Sequence, residues 1–433
     1  MNNDTIFALS SGHGKSGVAV IRISGTNLRD IFAKISNHKT FDARKTYLTR
    51  LRDNAGDLID QCLVIYFAAP NSFTGEDVIE IHSHGAPAVI EKIFDYLSAK
   101  FGARMATPGE FSRRAFYNNK MDLADVDGLA ALLDATTDRQ RRAALQSMTG
   151  FDSRIYNTWR KQMIEISAYA AAMLDYEPDD LPKNIGSTLR ERTQKLYDEI
   201  ITALSNTQRA RAIRGGYNIV LAGEPNVGKS SIFNRIVGSN RAIVSDIAGT
   251  TRDVVSVNLD IDGYFVNLSD TAGLRENTSD EIEKIGIERT NNEIQNADLI
   301  IRVFADEVKV VSEPNQIIVI NKSDLLSEKT QKNAIYLSAK TGDGMDTLMR
   351  AIREHIHNDL DASESQLTIN NRTRTLLTDT ADELQHALNL SSDNYDIFTE
   401  HVRRAADNIG KILGTITASD VLDATFGQLC LGK

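Results

Sequence analysis

The spacing of apolar residues changes three times along the chain, and each change predicts a different layer of structure. Over the first 118 residues, short β-branched runs such as Val18–Ile23 and Asp77–Ile81 are bounded by turn residues. The turns fall at Ser24-Gly25, Asn54-Ala-Gly56 and Pro70–Gly75, which together predict strands. Ile90, Ile93, Phe94 and Leu97 then recur at helical spacing, predicting a helix over 88–101. From about 120 to 212 the helical period takes over, at Leu123, Val126, Ala130 and Leu133 and again at Leu189, Leu196, Ile200 and Leu204. Pro178, Pro182 and Gly186 interrupt this block with a loop over Asp175–Gly186. Between 216 and 356 the pattern becomes continuous apolar runs, at Asn218–Ala222, Ala297–Phe304 and Gln316–Ile320, as a buried parallel sheet requires. Helical spacing returns at Leu377, Ala381, Leu384 and Leu388, and at Val402, Ala405, Ile409 and Ile412; Thr417–Asp420 suits the cap of a last short helix.

The fold expected is therefore multidomain: an α+β N-terminal domain, an α-helical middle domain built from two segments, and an inserted α/β domain, which the motif Gly223-Glu-Pro-Asn-Val-Gly228-Lys229-Ser230 makes a Ras-like α/β P-loop domain. The boundaries read as 1–118, 119–212, 213–358 and 359–433, the second and fourth pieces forming the helical domain. The length of 433 residues agrees, since about 150 residues per domain gives roughly three.

Composition narrows the function. With 41% hydrophobic and 25% charged residues, disorder and coiled coil are excluded as overall descriptions. No apolar run reaches the length of a bilayer span, so no membrane is expected. The start, MNNDTIFALSSG, lacks a basic, apolar leader, and two cysteines, Cys62 and Cys430, cannot make a disulfide framework. A reducing, cytoplasmic location is expected. The net charge of −10 argues against a generic nucleic-acid coat but leaves room for a local basic patch or a basic partner. Arg139, Arg141 and Arg142 are the nearest to a basic cluster and read as a solvated helix face.

The chemistry lies in the third segment. Gly223-Glu-Pro-Asn-Val-Gly228-Lys229-Ser230 fits G-x-x-x-x-G-K-[ST], between an apolar strand and a helix that starts at Ser231-Ile-Phe-Asn-Arg. Backbone N–H groups there can converge on phosphates, Lys229 can neutralise the β and γ oxygens, and Ser230 can offer its hydroxyl to Mg²⁺. Gly14-Lys15-Ser16 imitates the end of such a loop, but position 9 is Leu9 and a strand follows, so it reads as a turn. Asp270-Thr-Ala-Gly273, Asn321-Lys322-Ser-Asp324 and Ser338-Ala339-Lys340 follow in order. A carboxylate at Asp324 can accept the paired N1 and N2 donors of guanine, which adenine lacks. The chain is expected to bind and hydrolyse GTP. The glutamine that orients water in Ras-like proteins is replaced by Leu274, and no arginine finger is evident, although Arg252 and Arg275 lie nearby; a second cation would meet the charge requirement.

These segments together resemble one family, the tRNA-modifying GTPases MnmE (TrmE). The likeness rests on Asn226 in the P-loop, on Asp246-Ile-Ala-Gly249-Thr250-Thr251-Arg252-Asp253, and on Asp270-Thr-Ala-Gly-Leu-Arg275 leading into Asp280–Arg289. It continues in Pro70–Asp77, Pro108-Gly-Glu-Phe-Ser112, Arg114–Leu123 and the terminal Cys430-Leu-Gly-Lys433, so it spans essentially the whole chain. The resemblance implies GTP contacts from Asn226, Val227, Gly228, Lys229, Ser230 and Ser231 in the P-loop and from Ser245, Asp246, Ile247, Ala248, Gly249, Thr250 and Thr251 in switch I. Asp270, Thr271, Ala272 and Gly273, then Asn321, Lys322, Ser323 and Asp324, and finally Ser338, Ala339 and Lys340 complete that set. It implies Mg²⁺ on Ser230 and Thr251, and K⁺ on Asn226, Ser245, Ile247 and Thr250 in the electrostatic role of a finger. Glu283 would align the attacking water and act with Lys229 in catalysis. The N-terminal α/β domain would serve dimerisation and bind 5-formyltetrahydrofolate or a related tetrahydrofolate through Arg22, Glu80 and Lys120, with Lys433 completing the site. Cys430 matches a cysteine proposed for the tRNA chemistry. The implied assembly is a homodimer joined by the flavoprotein MnmG (GidA), with FAD on that partner, in a heterotetramer or larger complex acting on the wobble uridine (U34) of tRNA.

A competing reading is a GTP-driven conformational switch in ribosome assembly or septation, for which Gly14-Lys-Ser-Gly17 offers only a weak KH-type G-x-x-G. A third is a folate-dependent carrier to which GTP hydrolysis is incidental. His82-Ser-His84 would share a face of an extended segment, but no further metal ligands accompany them. Two departures from the family pattern stand out, the loop Pro178–Lys183 and a short connection between Phe304 and Gln316.

Overall fold

In the computed structural model the described residues are 4–26, 28–177, 180–205, 211–213, 215–243, 255–270, 293–306, 313–326, 329–360, 367, 369–390 and 394–415. They divide into two compact units. One comprises Met1–Ala130, Ser147–Arg190 and His386–Lys433, the other Ala131–Gln146 and Glu191–Gln385.

The first unit opens with β1 (Ile6–Leu9), β2 (Ser16–Gly25), α1 (Arg29–Ser36), β3 (Thr46–Arg52), β4 (Leu58–Phe67), β5 (Asp77–Gly85), α2 (Pro87–Phe101), β6 (Arg104–Met105) and α3 (Glu110–Tyr117). The six strands form one sheet in the order β3-β4-β5-β2-β1-β6, antiparallel except for β1 with β6. Strand alternation sends Ile21, Ile23, Val64, Ile79 and Ile81 into a core with Phe32 of α1 and Ile93 and Leu97 of α2. Pro87 starts α2 without losing a helical hydrogen bond, and Gly102 ends it, its N–H donating to Ser98. Two expectations shift here: Ser24 and Gly25 lie inside β2 rather than in a turn, because Ser24 pairs with Val78 and its hydroxyl bonds Thr74 at 2.7 Å. Gly14-Lys15-Ser16 leads straight into β2, as the missing first glycine requires.

Helices α4 (Leu123–Asp134), α5 (Asp138–Met148), α6 (Phe151–Asp175) and α7 (Ile185–Ser205) follow. Leu123, Val126 and Ala130 are buried as their spacing predicts, whereas Leu133 is exposed at the end of α4. Toward the C-terminus the chain forms α10 (Asn371–Asn389) and α11 (Tyr395–Leu413), and α11 packs along α6. That contact uses the predicted stripe Val402, Ala405, Ile409 and Ile412, all buried, as are Trp159, Met163 and Ile166 of α6. A period of 3.6 residues puts each set on one face.

Near the start of α4, Asp122 and Asp125 cap each other: each carboxylate accepts the other residue's N–H, at 2.9 and 3.1 Å. Burial, helped by the neighbouring Asp122 charge, pushes the Asp125 carboxyl up to about 6. A raised carboxyl favours the folded state when protonated, so this contribution is present at low pH and lost as pH rises through about 6. Asp125→Asn should therefore stabilise the protein at pH 7.5 by about 1 kcal/mol, allowing for the half-exposed side chain, and do little at pH 4. Thermal melts at the two pH values check this; equal shifts would contradict it.

The second unit is built on a seven-stranded sheet. Its elements are β7 (Tyr217–Ala222), α8 (Lys229–Ser239), β8 (Arg241–Ala242), β9 (Val255–Ile261), β10 (Tyr264–Asp270), β11 (Leu299–Phe304), β12 (Gln316–Ile320), β13 (Ile335–Tyr336) and α9 (Met345–Leu360). The order is β13-β12-β11-β7-β10-β9-β8, parallel through β13, β12, β11, β7 and β10 and antiparallel beyond. Every residue of β12 is buried, which explains the apolar run Ile317–Ile320. Ile232 and Ile236 of α8 and Leu348, Ile352 and Ile356 of α9 fill the core against the sheet.

Candidate functional site

The phosphate cradle grows out of the end of β7. The chain turns at Gly223 and enters α8 through Gly228, whose φ of +96° no β-carbon-bearing residue adopts comfortably. A Cβ there would also sit 2.2 Å from Asn321 Nδ2. No side chain caps α8, so its first N–H groups point outward with the positive end of the helix dipole. Lys229 is 5% exposed and its ammonium donates to the carbonyls of Gly223 and Glu224, both at 2.9 Å. It is thus folded back along the loop that a polyphosphate would thread. Ser230 donates its hydroxyl to Asp270 Oδ2 at 2.8 Å, where β10 ends beside β7. Val227 is buried beneath the loop, while Ser231 is exposed in the first turn of α8.

The base side is tied to the same loop. Asn321 donates to the carbonyl of Val227 at 2.8 Å and accepts from the N–H of Ala339 at 3.0 Å. Lys322, at φ +59°, reaches over to the Asn226 carbonyl at 2.9 Å; Asn226 itself is left-handed at φ +64°. Ser323 opens a single 3₁₀ turn that presents Asp324 to solvent. A hydrogen bond from the Ser338 hydroxyl, helped by the Lys340 charge, holds the Asp324 carboxyl below the usual carboxylate range. The structure therefore brings together Asn226, Val227, Gly228, Lys229, Ser230, Ser231, Asp270, Asn321, Lys322, Ser323, Asp324, Ser338, Ala339 and Lys340. Ser245–Thr251, Thr271–Gly273, Glu283, Cys430 and Lys433 lie outside the described residues.

A second constellation sits on the face of the N-terminal sheet away from its core. Arg22 and Glu80 are cross-strand partners on β2 and β5, and their side chains pair at 3.0 and 3.2 Å. The other Glu80 oxygen meets His82 Nε2 at 3.3 Å. The rings of Phe73 and Phe111 lie 5.0 and 5.9 Å from the Arg22 guanidinium, contacts that residue spacing did not disclose. Lys120 stands against Gly75, in the same loop as Phe73: a Cβ on that glycine would come within 3.2 Å of the lysine Cε. Arg22 is thus joined to Glu80 directly, and Lys120 to the neighbouring loop at Gly75. His84 pairs with Asp60 at 2.8 Å, away from Glu80. Among the described residues no group of three His, Cys, Asp or Glu side chains could hold a metal. None of their helices is long and apolar enough to cross a membrane.

The basic cluster is not simply a solvated face. Arg141 and Arg142 pair with Asp138, each at 2.7 Å, as an exposed helix would have it. Arg139 instead lies 3.8 Å over the ring of Tyr264, the first residue of β10. Cys62 is buried in β4, where burial and the Asp60 charge push its thiol up to about 12, so it is no nucleophile.

A parallel sheet with a glycine-turned anion cradle at a strand end, and a base-side Asn-Lys-x-Asp tied to it, defines a P-loop GTPase-type α/β unit joined to an α+β domain and a helical domain. The profile described as the GTP-binding protein TrmE N-terminus matches residues 5–120, and that of the MnmE helical domain matches residues 123–430. The chain belongs to the MnmE family of tRNA modification GTPases. It is 39% identical to the tRNA modification GTPase MnmE of Dinoroseobacter shibae over 99% of this chain and 100% of that one. The proteins of the same description from Brucella anthropi and Parvibaculum lavamentivorans are 38% and 39% identical, each over 99% of this chain and 98% and 100% of theirs.

Proposed function

We propose that this protein is a K⁺-stimulated GTP hydrolase that takes part in modifying C5 of the wobble uridine of tRNA, adding a carboxymethylaminomethyl or aminomethyl-type group. The observation that supports the reading is the double tie of Asn321 and Lys322 to the P-loop, next to which the Asp324 carboxylate would accept the guanine donors. The relatives' name supplies the tRNA, and the family favours modification over the ribosome-assembly or septation switch. A cytoplasmic location follows from that work.

Each group has a defined place in the proposal. Lys229 neutralises the β and γ oxygens, and the N–H groups of α8 hold the phosphates. Mg²⁺ would rest on the Ser230 and Thr251 hydroxyls, with the Asp270 carboxylate, 2.8 Å from the Ser230 hydroxyl, behind them. K⁺ would rest on Asn226 together with Ser245, Ile247 and Thr250 and supply positive charge beside the γ-phosphate. Glu283 would orient water. On the N-terminal sheet, Arg22 suits the carboxylates of a folate tail and Glu80 the pterin donors, with Lys120 and Lys433 completing the site. The tetrahydrofolate would supply a one-carbon unit, and the flavoprotein MnmG the redox chemistry, to a homodimer of this chain.

Nucleoside analysis of tRNA from cells lacking this protein tests the reading: the modified wobble uridine should disappear, and a normal profile would reject it. GTP turnover should be about 10-fold or more faster in K⁺ than in Na⁺, because ionic size governs a cage of oxygen ligands. Asn226→Ala should flatten that difference. Equal rates in both salts for the unaltered protein would remove the ion from the mechanism.

A further inference from the structure

The P-loop helix carries a second functional side chain, two turns beyond its lysine. Arg235 lies six residues after Lys229, roughly 9 Å along the axis of α8. Its Nε donates to the carbonyl of Ala339, and its Nη2 donates to that of Lys340 at 2.7 Å. The guanidinium also occupies the space over Gly342: a Cβ there would meet Nη1 at 2.9 Å, and the backbone at φ +97° calls for glycine. Ala339 is therefore held on both sides, its N–H by Asn321 and its carbonyl by Arg235. The loop is further closed by Ser338 N–H to Asp343 at 2.9 Å and Gly342 N–H to Ser338 at 2.8 Å.

We infer that Arg235 is a positioning residue for guanine selection, acting through the Ser338–Lys340 loop on Asp324. The inference rests on the GTP-binding reading above. The chain of contact is continuous. Arg235 fixes two adjacent carbonyls with a planar fork, which restrains the loop more than a single flexible donor could. That loop is bonded to the turn that presents Asp324, the Ser323 N–H donating to the Leu337 carbonyl at 3.1 Å, and its Ser338 hydroxyl acts on the Asp324 carboxylate that would accept guanine N1 and N2. Because Arg235 grows from the helix whose first turn faces the phosphates, one rigid element sets both ends of the nucleotide site. Lys322 and Asn321 tie the base side to the P-loop; Arg235 ties it to the body of the helix.

The test compares GTP with inosine triphosphate, which lacks only the 2-amino donor. Full-length Arg235→Ala should raise the GTP Kd about 10-fold and the inosine triphosphate Kd about 3-fold or less, so that discrimination between them shrinks. At saturating GTP its kcat should stay within about twofold, because no phosphate contact changes. Arg235→Lys, which keeps charge and stem, should recover part of the discrimination and carries the test if the alanine variant does not fold. Equal weakening of both nucleotides, or an unchanged GTP Kd, would overturn the assignment. If the unaltered protein bound no GTP, the underlying GTP reading would fall as well, and that result is visible before any variant is made.

Discussion

Asp324→Asn is expected to weaken GTP by about 100-fold or more and to strengthen xanthosine triphosphate, since a site built to hydrogen-bond a given edge rejects the wrong one strongly. Guanine offers two parallel donors, N1–H and the 2-amino group, and a carboxylate accepts both. An asparagine amide keeps one acceptor and turns a donor toward the 2-amino group, so two donors face each other. Xanthine carries an oxygen where guanine carries that amino group, and its donor–acceptor pair matches the amide. The Ser338 hydroxyl holds the Asp324 carboxyl below its ordinary range. A depressed carboxyl keeps its charge above the usual range and loses it only as pH falls through the lowered value. This group should therefore impose no pH dependence on GTP binding between about pH 5 and 8. Competition of GTP and xanthosine triphosphate against a fluorescent guanine nucleotide reads both effects; a variant that still prefers GTP would remove Asp324 from base recognition.

The elements and the cradle were legible because both are local. β12 announces itself by four consecutive apolar residues, Ile317–Ile320, and α11 by a stripe at helical spacing, and both are buried as that pattern requires. The P-loop is a contiguous eight-residue pattern whose geometry follows from its own glycines. What stayed hidden depends on contacts between distant positions. Arg22 and Glu80 are 58 residues apart, and only the register of β2 on β5 makes them partners. Phe73 and Phe111 come to Arg22 from a loop and a helix whose spacing carries no sign of it. Arg139 sits among exposed charges in sequence and looks solvated, yet the first residue of β10 supplies the Tyr264 ring beneath it. Arg235 is hidden in the same way, an ordinary polar position on an amphipathic helix until the loop 104 residues later folds back to it. Leu133 errs in the other direction: its spacing is right, but α4 ends one residue later and leaves it 41% exposed.

Lys229→Ala should lower the hydrolytic rate by on the order of 1,000-fold, the scale on which a buried, preorganised positive charge acts at a developing anion. The side chain is almost fully buried and its ammonium donates to two loop carbonyls, those of Gly223 and Glu224. That arrangement keeps the charge desolvated beside the cradle. The helix N-terminus and its N–H groups survive the substitution, so GTP binding should weaken less than turnover, by about 10- to 100-fold. Stability should move the other way. Burying an ammonium is costly even when carbonyls accept from it, so without nucleotide the variant should melt at or above the unaltered protein's temperature. The rise in melting temperature that saturating GTP gives the unaltered protein should shrink, because ligand stabilisation scales with the logarithm of concentration over Kd. Single-turnover hydrolysis and melts with and without GTP separate these effects. A variant that melts lower without nucleotide yet turns over GTP at near-normal rate would show the lysine holding the loop together rather than the phosphates.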